Sequence, residues 1–113
     1  MRIITRSLAV TTAGDDAAAV GSGEMDGVRG FLLDVWLDYH ADAPATTDVT
    51  LAYTTRGGSI AAVTNNATDI LIAPRQTPAV DLYPIDQGLT LSVAGADALT
   101  ACVTAWIRIL LVA

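Results

Sequence analysis

Apolar and polar residues alternate with a period of two along most of this chain, which is the pattern of β-strands that bury one face. The alternation is longest near the C-terminus, from Leu99 to Leu111. One set of alternate residues there is wholly apolar and is predicted to face a core, whereas the other set carries Trp106 and Arg108. Tryptophan and arginine are enriched in protein interfaces, so this second side is predicted to meet a partner.

Seven segments have the alternation and the β-branched composition of strands. The predicted strands are Arg2–Thr12, Val28–His40, Asp48–Thr54, Ser59–Thr64, Asp69–Ala73, Leu89–Ala94 and Leu99–Val112. A further short edge strand is expected at Ala17–Gly21 or at Val80–Tyr83. Helix is disfavoured, because only Ala13–Ala19 has local helix propensity and it is too short to persist alone.

The breaks between these segments have turn chemistry. Gly57 and Gly58 supply positive φ angles for a tight hairpin, and Asn65 and Asn66 tolerate the left-handed region. The prolines of Pro74–Pro78 exclude a central strand there. Short strands with short turns predict an antiparallel β-sandwich, jelly-roll-like, of about seven to nine strands. All 113 residues are expected to form one domain, with residues 1–12 as an N-terminal arm or edge strand.

The composition predicts that part of the apolar surface of this chain is covered by partners. Hydrophobic residues make up 52% of the chain, and the mean hydropathy is +0.48. The most apolar stretch, Leu99–Ala113, is shorter than the roughly 20 residues of a spanning helix and contains Arg108. The N-terminus lacks the pattern of a signal peptide. We therefore expect a soluble chain, made in a cytoplasm, that associates with partners rather than with a membrane.

The charge and the cysteine content argue against several classes of function. The formal charge is −6, and the six basic residues are arginines dispersed along the chain. Nucleic-acid binding requires clustered positive charge, so a nucleic-acid partner is not expected. Cys102 is the single cysteine, which excludes an internal disulfide and a multi-cysteine zinc site. It is expected to pack as a small hydrophobic residue.

The segment around the single histidine is the main candidate for chemistry. Asp34, Trp36, Asp38 and His40 fall on one side of a strand, opposite the apolar set Phe31, Leu33, Val35, Leu37 and Tyr39. Strand residues four apart are separated by about 13 Å, too far to share one metal ion or to act as a glycosidase pair. Asp38 and His40, about 7 Å apart, would supply at most two ligands. The preferred interpretation is the solvated face of a strand.

Other motifs also favour structure over chemistry. Gly21–Gly30 lacks the lysine of a phosphate loop and contains two acidic residues, so it is interpreted as a flexible turn before the strand that begins at Val28. Asp48 and Asp69 are interpreted as Asx-type turn residues, because no EF-hand spacing accompanies them. No serine lies in a nucleophile motif. We expect no catalytic residue, no metal site and no cofactor.

Three stretches resemble a family of small virion proteins of tailed bacteriophages. They are "GFLLDVWLDYHADAPATTDVTLAY", "SIAAVTNNATDILIAPR" and "YPIDQGLTLSVAGADA". Such chains have an aliphatic strand ending in "DY", an alanine-rich loop, "TTDVT", and then a strand that leads into "TN…TD" and "PR". The resemblance extends from Gly30 to Ile109.

The resemblance implies a non-enzymatic β-sandwich of the capsid decoration or cement type. Such a protein binds the major capsid protein on the outside of the phage capsid, often as a homotrimer, after synthesis in the host cytoplasm. We expect Arg2 and Arg6 in the arm, with Trp106 and Arg108 on the last strand, to make the contacts. A tail or head–tail connector component and a carbohydrate-binding β-sandwich remain open as alternatives, followed by a hydrolase that would use Asp38 and His40.

Overall fold

The computed structural model describes residues 2–27, 29–55, 57–73, 75–76, 81–85 and 88–111, with the backbone alone described at 75–76 and 81–83. Within these residues the elements are all strands. The described part of the chain contains no helix that could cross a membrane. The strands are β1 (Arg2–Val10), β2 (Ala19–Met25), β3 (Gly30–Tyr39), β4 (Asp48–Tyr53), β5 (Ser59–Val63), β6 (Ile70–Ile72), β7 (Arg75–Gln76), β8 (Asp81–Ile85), β9 (Leu89–Ala96) and β10 (Val103–Leu111).

The strands form two antiparallel sheets. Over the described residues, one sheet has the order β1–β10–β3–β8–β7, with β6 also paired to β3, and the other has the order β2–β9–β4–β5. β3 divides its second edge between β6, which pairs with Val35–Leu37, and β8, which pairs with Gly30–Leu32. The predicted antiparallel β-sandwich is confirmed. The strand count exceeds the predicted range only through β7, which has two residues.

The core lies between the two sheets and is built from alternate residues. In β10 these are Val103, Ala105, Ile107 and Ile109, and in β9 they are Leu89, Leu91 and Val93. Full burial of each large aliphatic side chain stabilises the fold by about 1.5–3 kcal/mol. The alternation predicted for the last strand is confirmed from Val103 onward. The strand begins later than predicted, because Thr100 and Ala101 form a turn in which Ala101 has a φ of 50°.

A bulge in β3 reverses the phase of its first half. The register with β10 passes from the pair Asp34–Arg108 to the pair Leu32–Ile109, so Leu33 is an extra residue on β3. Leu32 is therefore fully buried, while Phe31 and Leu33 are only partly buried. The predicted apolar set was wrong at Phe31 and Leu33, because regular alternation cannot include an unpaired residue.

Two glycines of β2 allow the two sheets to approach closely where β1 and β2 meet. A Cβ atom added to Gly21 would collide with the carbonyl oxygen of Thr11, and one added to Gly23 would lie 3.1 Å from Cδ1 of Leu8. The missing side chains let β1 approach the β2 backbone closely, although the two strands belong to different sheets. The prediction of a flexible turn at Gly21–Gly30 is wrong for its first half, because Gly21–Met25 lies in β2.

The remaining turns agree with the sequence in most places. Gly57 and Gly58 have φ angles of 69° and 94° in the β4–β5 hairpin, and Asn65 has a φ of 51°. The helix-prone Ala13–Ala19 forms a turn that leads into β2. Both suggested edge strands are present, as β2 and β8, although Val80 lies outside the described residues.

Pro74, Thr77 and Pro78 also lie outside the described residues. Between them, Arg75 and Gln76 form the short strand β7, which ends the order of its sheet. This edge position agrees with the exclusion of a central strand by the prolines.

Candidate binding surface

Two tryptophans lie side by side on the side of the six-stranded sheet that faces away from the core, called here the outer face. Trp106 of β10 pairs directly with Trp36 of β3, and 44% and 40% of their respective surfaces are exposed. Leu71 pairs with Trp36 on the other side and Ser7 pairs with Trp106. Directly paired residues point to the same side of a sheet, so these four form one row across it, called here the aromatic row.

A second apolar row crosses the same face near the other end of the strands. It consists of Ile3, Leu110, Phe31 and Pro84, each paired with the next across four strands. Ile3 is 57% exposed, as is Leu71 of the aromatic row. The two rows are four residues apart on β10, or about 13 Å. Exposed large apolar side chains concentrated on one face indicate an interaction surface.

An ion pair lies between the two rows. Arg108 pairs with Asp34 across β10 and β3, and its Nε donates hydrogen bonds to both carboxylate oxygens at 2.9 Å and 3.1 Å. Nη2 of Arg108 also donates to Oδ2 of Asp34. These hydrogen bonds and the opposite charge raise the pKa of Arg108. The outer face therefore neutralises its buried carboxylate internally and presents little net charge between its apolar rows.

The four predicted interface residues do not lie together. Trp106 and Arg108 are on the outer face, as their alternation predicted. Arg6 pairs with Ile107 and Arg2 pairs with Leu111, so both arginines lie on the core-facing side of β1, at the edge of the sheet. They remain exposed there. β1 is an edge strand that pairs with β10 of the same chain.

Asp38 and His40 do not form a recognisable chemical site. Asp38 is exposed on the outer face beside Trp36, in line with the solvated-face interpretation. That interpretation is wrong for Asp34, which is buried beneath Arg108. His40 follows the end of β3, and its Nδ1 accepts a hydrogen bond from the backbone N–H of Asp42 at 3.0 Å. Among the described residues, no three histidine, cysteine, aspartate or glutamate side chains are placed to hold one metal ion.

Asp48 and Asp69 act as long-range tethers. Oδ1 of Asp48 accepts the backbone N–H of Asn65 at 2.8 Å, and Oδ1 of Asp69 accepts the backbone N–H of Tyr39 at the same distance. Their hydrogen bonds therefore cross between segments of the fold, whereas the predicted Asx-type turns would have been local. Both carboxylates stabilise the loop between β5 and β6 against neighbouring strands.

Two buried side chains, those of Cys102 and Tyr39, have raised pKa values. Cys102 is fully buried, as expected for a small hydrophobic residue, and burial raises the pKa of its thiol. Burial likewise raises the pKa of Tyr39, an effect that the nearby Asn66 side chain partly offsets. The Tyr39 hydroxyl nevertheless has no hydrogen-bond partner of ordinary geometry among the described residues.

The outer-face partners of Trp106 and Arg108 were not predicted from the sequence. Trp36 and Asp34 were seen as one face of a strand, but nothing in the sequence states that β3 lies next to β10. The opposite charges of Asp34 and Arg108, each two residues from a tryptophan, were an available signal. Ile3 and Leu71 gave no signal, because their exposure depends on where β1 and β6 join the sheet.

Comparison with known proteins finds no family model and no curated protein that matches this chain. The fold and the outer face define a β-sandwich with an exposed, largely uncharged aromatic surface.

Proposed function

We propose that this protein is a non-enzymatic structural component of a tailed-phage virion, a decoration or cement protein that binds the outside of the capsid. The outer face would contact major capsid protein subunits, and the protein would act as a homotrimer. The observation that carries the proposal is the exposed pair Trp36–Trp106 on the outer face. The resemblance of the sequence to small virion proteins supplies the class of partner.

The chemistry of the outer face supports a contact surface of this kind. Interface hot spots are enriched in tryptophan and arginine and are surrounded by residues that exclude water. Here the Trp36–Trp106 pair is flanked by Leu71 on one side and by the Arg108–Asp34 ion pair on the next row. An internally paired carboxylate does not need a cation from the partner, so it reduces the desolvation cost of docking.

The size of the outer face fits a specific contact. β1, β10 and β3 have nine or ten residues each, and β6 and β8 together occupy a fourth position beside β3. At about 4.8 Å between strands and 3.3 Å per residue, the outer face measures roughly 19 Å by 30 Å. Specific interfaces bury about 800 Å² on each partner, which a side-chain-covered footprint of this size approaches. The mechanism would then be extra buried area across capsid subunit boundaries, which resists outward pressure from the packaged genome.

Quantitative mass spectrometry of purified virions tests the proposal. A copy number comparable to that of the major capsid protein supports a shell decoration role. A few copies per particle would instead support the tail or head–tail connector alternative. Absence of the chain from virions would contradict both roles.

A binding assay identifies the surface. Trp106→Ala should reduce binding to capsids that lack the protein, while Val20→Ala should bind as the wild type does. Val20 is the matched control, because it is an exposed apolar residue on the four-stranded sheet. Equal binding by both variants would exclude the outer face as the capsid contact.

A carbohydrate-binding role is the second candidate, and the same tryptophan pair favours it. Two exposed indole rings on adjacent strands offer stacking surfaces, and the exposed Asp38 beside Trp36 offers a hydrogen-bond acceptor. Glycan-array binding by the isolated protein that is lost in Trp36→Ala would support this candidate. Absence of binding across the array would leave the virion role as the better explanation of the face.

A further inference from the structure

The second exposed feature of the fold is the free edge of β1. β1 pairs with β10 along one edge over all nine of its residues. In the described part of the structure, Arg2–Ala9 make no backbone hydrogen bond on the other edge. In an antiparallel strand about half of the backbone N–H and C=O groups point to each side, so β1 presents about four donors and four acceptors to a further strand.

This edge lacks most devices that prevent strand addition. Natural edge strands are short, or contain proline, lysine, a bulge or an inward-pointing charge, and β1 has only the last of these, in Arg2 and Arg6. β1 has nine residues in unbroken register with β10 and contains no proline, glycine, lysine or acidic residue. Its exposed Ile3 and Thr5 have high β propensity. The backbone N–H and C=O groups along this edge are therefore available to hydrogen-bond to another strand.

Arg6 restricts which side chains the added strand can place opposite it. It lies on the core-facing side of β1, opposite the fully buried Ile107, and has no ion pair among the described residues. A residue added directly opposite Arg6 would place its Cβ about 5 Å away. An apolar residue there would desolvate the guanidinium without a partner, which is unfavourable, whereas a carboxylate would pair with it. Arg6 thus disfavours apolar strands and favours acidic ones.

Arg2 imposes the same preference for an acidic side chain. It lies four residues from Arg6 on the same side of β1, about 13 Å along the strand. The strand as a whole carries a formal charge of +2, while the rest of the chain carries −8, because the total is −6. The positive charge at this edge is therefore local and is not part of a generally basic surface.

We propose that the free edge of β1 binds an extended acidic segment of another protein by strand addition, with carboxylates four residues apart facing Arg6 and Arg2. Backbone hydrogen bonds supply the affinity and the two arginines select the sequence. The inference does not depend on the virion role, because it follows from the edge and its charges.

Synthetic peptides test this edge directly. The probe is a nine-residue, end-blocked peptide of alternating threonine and valine with aspartate at its second and sixth positions. Matched peptides carry asparagine or arginine at those two positions. Fluorescence anisotropy with the full chain should show the aspartate peptide binding at least about threefold more tightly than the asparagine peptide, the size expected for a cross-strand ion pair.

Charge reversal separates a specific contact from general attraction. Arg6→Glu should reverse the preference, so that the arginine peptide binds more tightly than the aspartate peptide. Arg29→Glu is the matched control, because Arg29 is also exposed but precedes β3, and it should retain the wild-type preference. Circular dichroism checks that each variant is folded.

Three results would overturn the proposal. One is the absence of binding by all three peptides at millimolar concentration. Another is an equal change in preference for Arg6→Glu and Arg29→Glu, which would indicate a net-charge effect. The third is a wild-type homo-oligomer in sedimentation experiments that Arg6→Glu dissociates, because a second copy of this chain would then occupy the edge.

Discussion

Asp34 and Arg108 form an ion pair whose two members differ greatly in exposure. The Asp34 side chain is 12% exposed, whereas the Arg108 side chain is 52% exposed and lies over it. Arg108 therefore covers a largely buried carboxylate that would otherwise have no cation to pair with. The bulge at Leu33 places Asp34 on the outer face, where the arginine can reach it. Bulge and ion pair thus belong to one local arrangement.

Removal of Arg108 should destabilise the protein more than removal of both partners. In Arg108→Met the Asp34 carboxylate loses its cation and keeps its desolvation, so the urea midpoint should fall. Asp34→Asn combined with Arg108→Met should recover much of that loss. Arg29→Met, at an exposed position, is the control and should leave the midpoint unchanged. A double variant less stable than Arg108→Met would contradict this account.

The close approach of β1 to β2 predicts different costs for two neighbouring glycines. Gly21→Ala should destabilise by about 1–3 kcal/mol, because its methyl group meets the rigid carbonyl of Thr11. Gly23→Ala meets the flexible end of Leu8 and should change stability by less than about 1 kcal/mol. Urea denaturation measures both values. Equal costs would show that the strands do not meet as described.

The unpartnered hydroxyl of Tyr39 predicts that its removal is not harmful. Tyr39→Phe keeps the ring and deletes a buried polar group without a partner, so stability should be unchanged or rise by up to about 1 kcal/mol. Thermal and urea denaturation at pH 7 measure the change. A loss above 1 kcal/mol would mean that the hydroxyl has a partner in solution, for which Asn66 is the first candidate.

The buried thiol predicts a loss of stability at alkaline pH. Because burial raises the pKa of Cys102 above its ordinary value of 9.0, the unfolded chain releases this proton at lower pH than the folded protein does. The stabilisation is complete below pH 9 and is lost as pH rises through the pKa of the folded state. Melting temperatures from pH 8 to pH 11 should fall less steeply in Cys102→Ala, and identical slopes would contradict the prediction.

The outer face predicts that Trp106 contributes little to folding. Trp106→Ala should retain the wild-type circular dichroism spectrum, because its side chain lies on the exposed side of β10. Ile107→Ala, one residue later and fully buried, should cost about 2–5 kcal/mol. The circular dichroism spectra and the free energies of unfolding of the two variants are compared to test this prediction. A comparable loss in both variants would place Trp106 in the folded core.

Much of the fold can be predicted from the alternation of apolar and polar residues, because this alternation decides which side of a strand is buried. The alternation in β10 from Val103 to Ile109 and the positive φ angles of Gly57 and Gly58 were correctly predicted for this reason. The phase of β3 was not, since a bulge at Leu33 is decided by its pairing with β10. Only the start of β2 was predicted, because Gly21 and Gly23, two of its inward positions, lack the apolar signal of a strand.

The candidate surface was predicted only in part. Alternation correctly placed Trp106 and Arg108 on the exposed side of the last strand. It could not reveal that Arg2 and Arg6 lie on the opposite side of the sheet, because that depends on the register between β1 and β10. The grouping of Trp36 with Trp106 has the same origin, since it arises from two strands separated by most of the chain.

The internal pairing of Asp34 with Arg108 has a consequence for how the protein responds to ionic strength. At physiological ionic strength, exposed charges are screened beyond about 8 Å, so contacts made through Arg2 and Arg6 should weaken as salt is added. Apolar contacts of the tryptophan pair should persist, and kosmotropic salts such as sulfate should strengthen them. A salt titration of any partner's affinity therefore distinguishes attachment through the edge of β1 from attachment through the outer face.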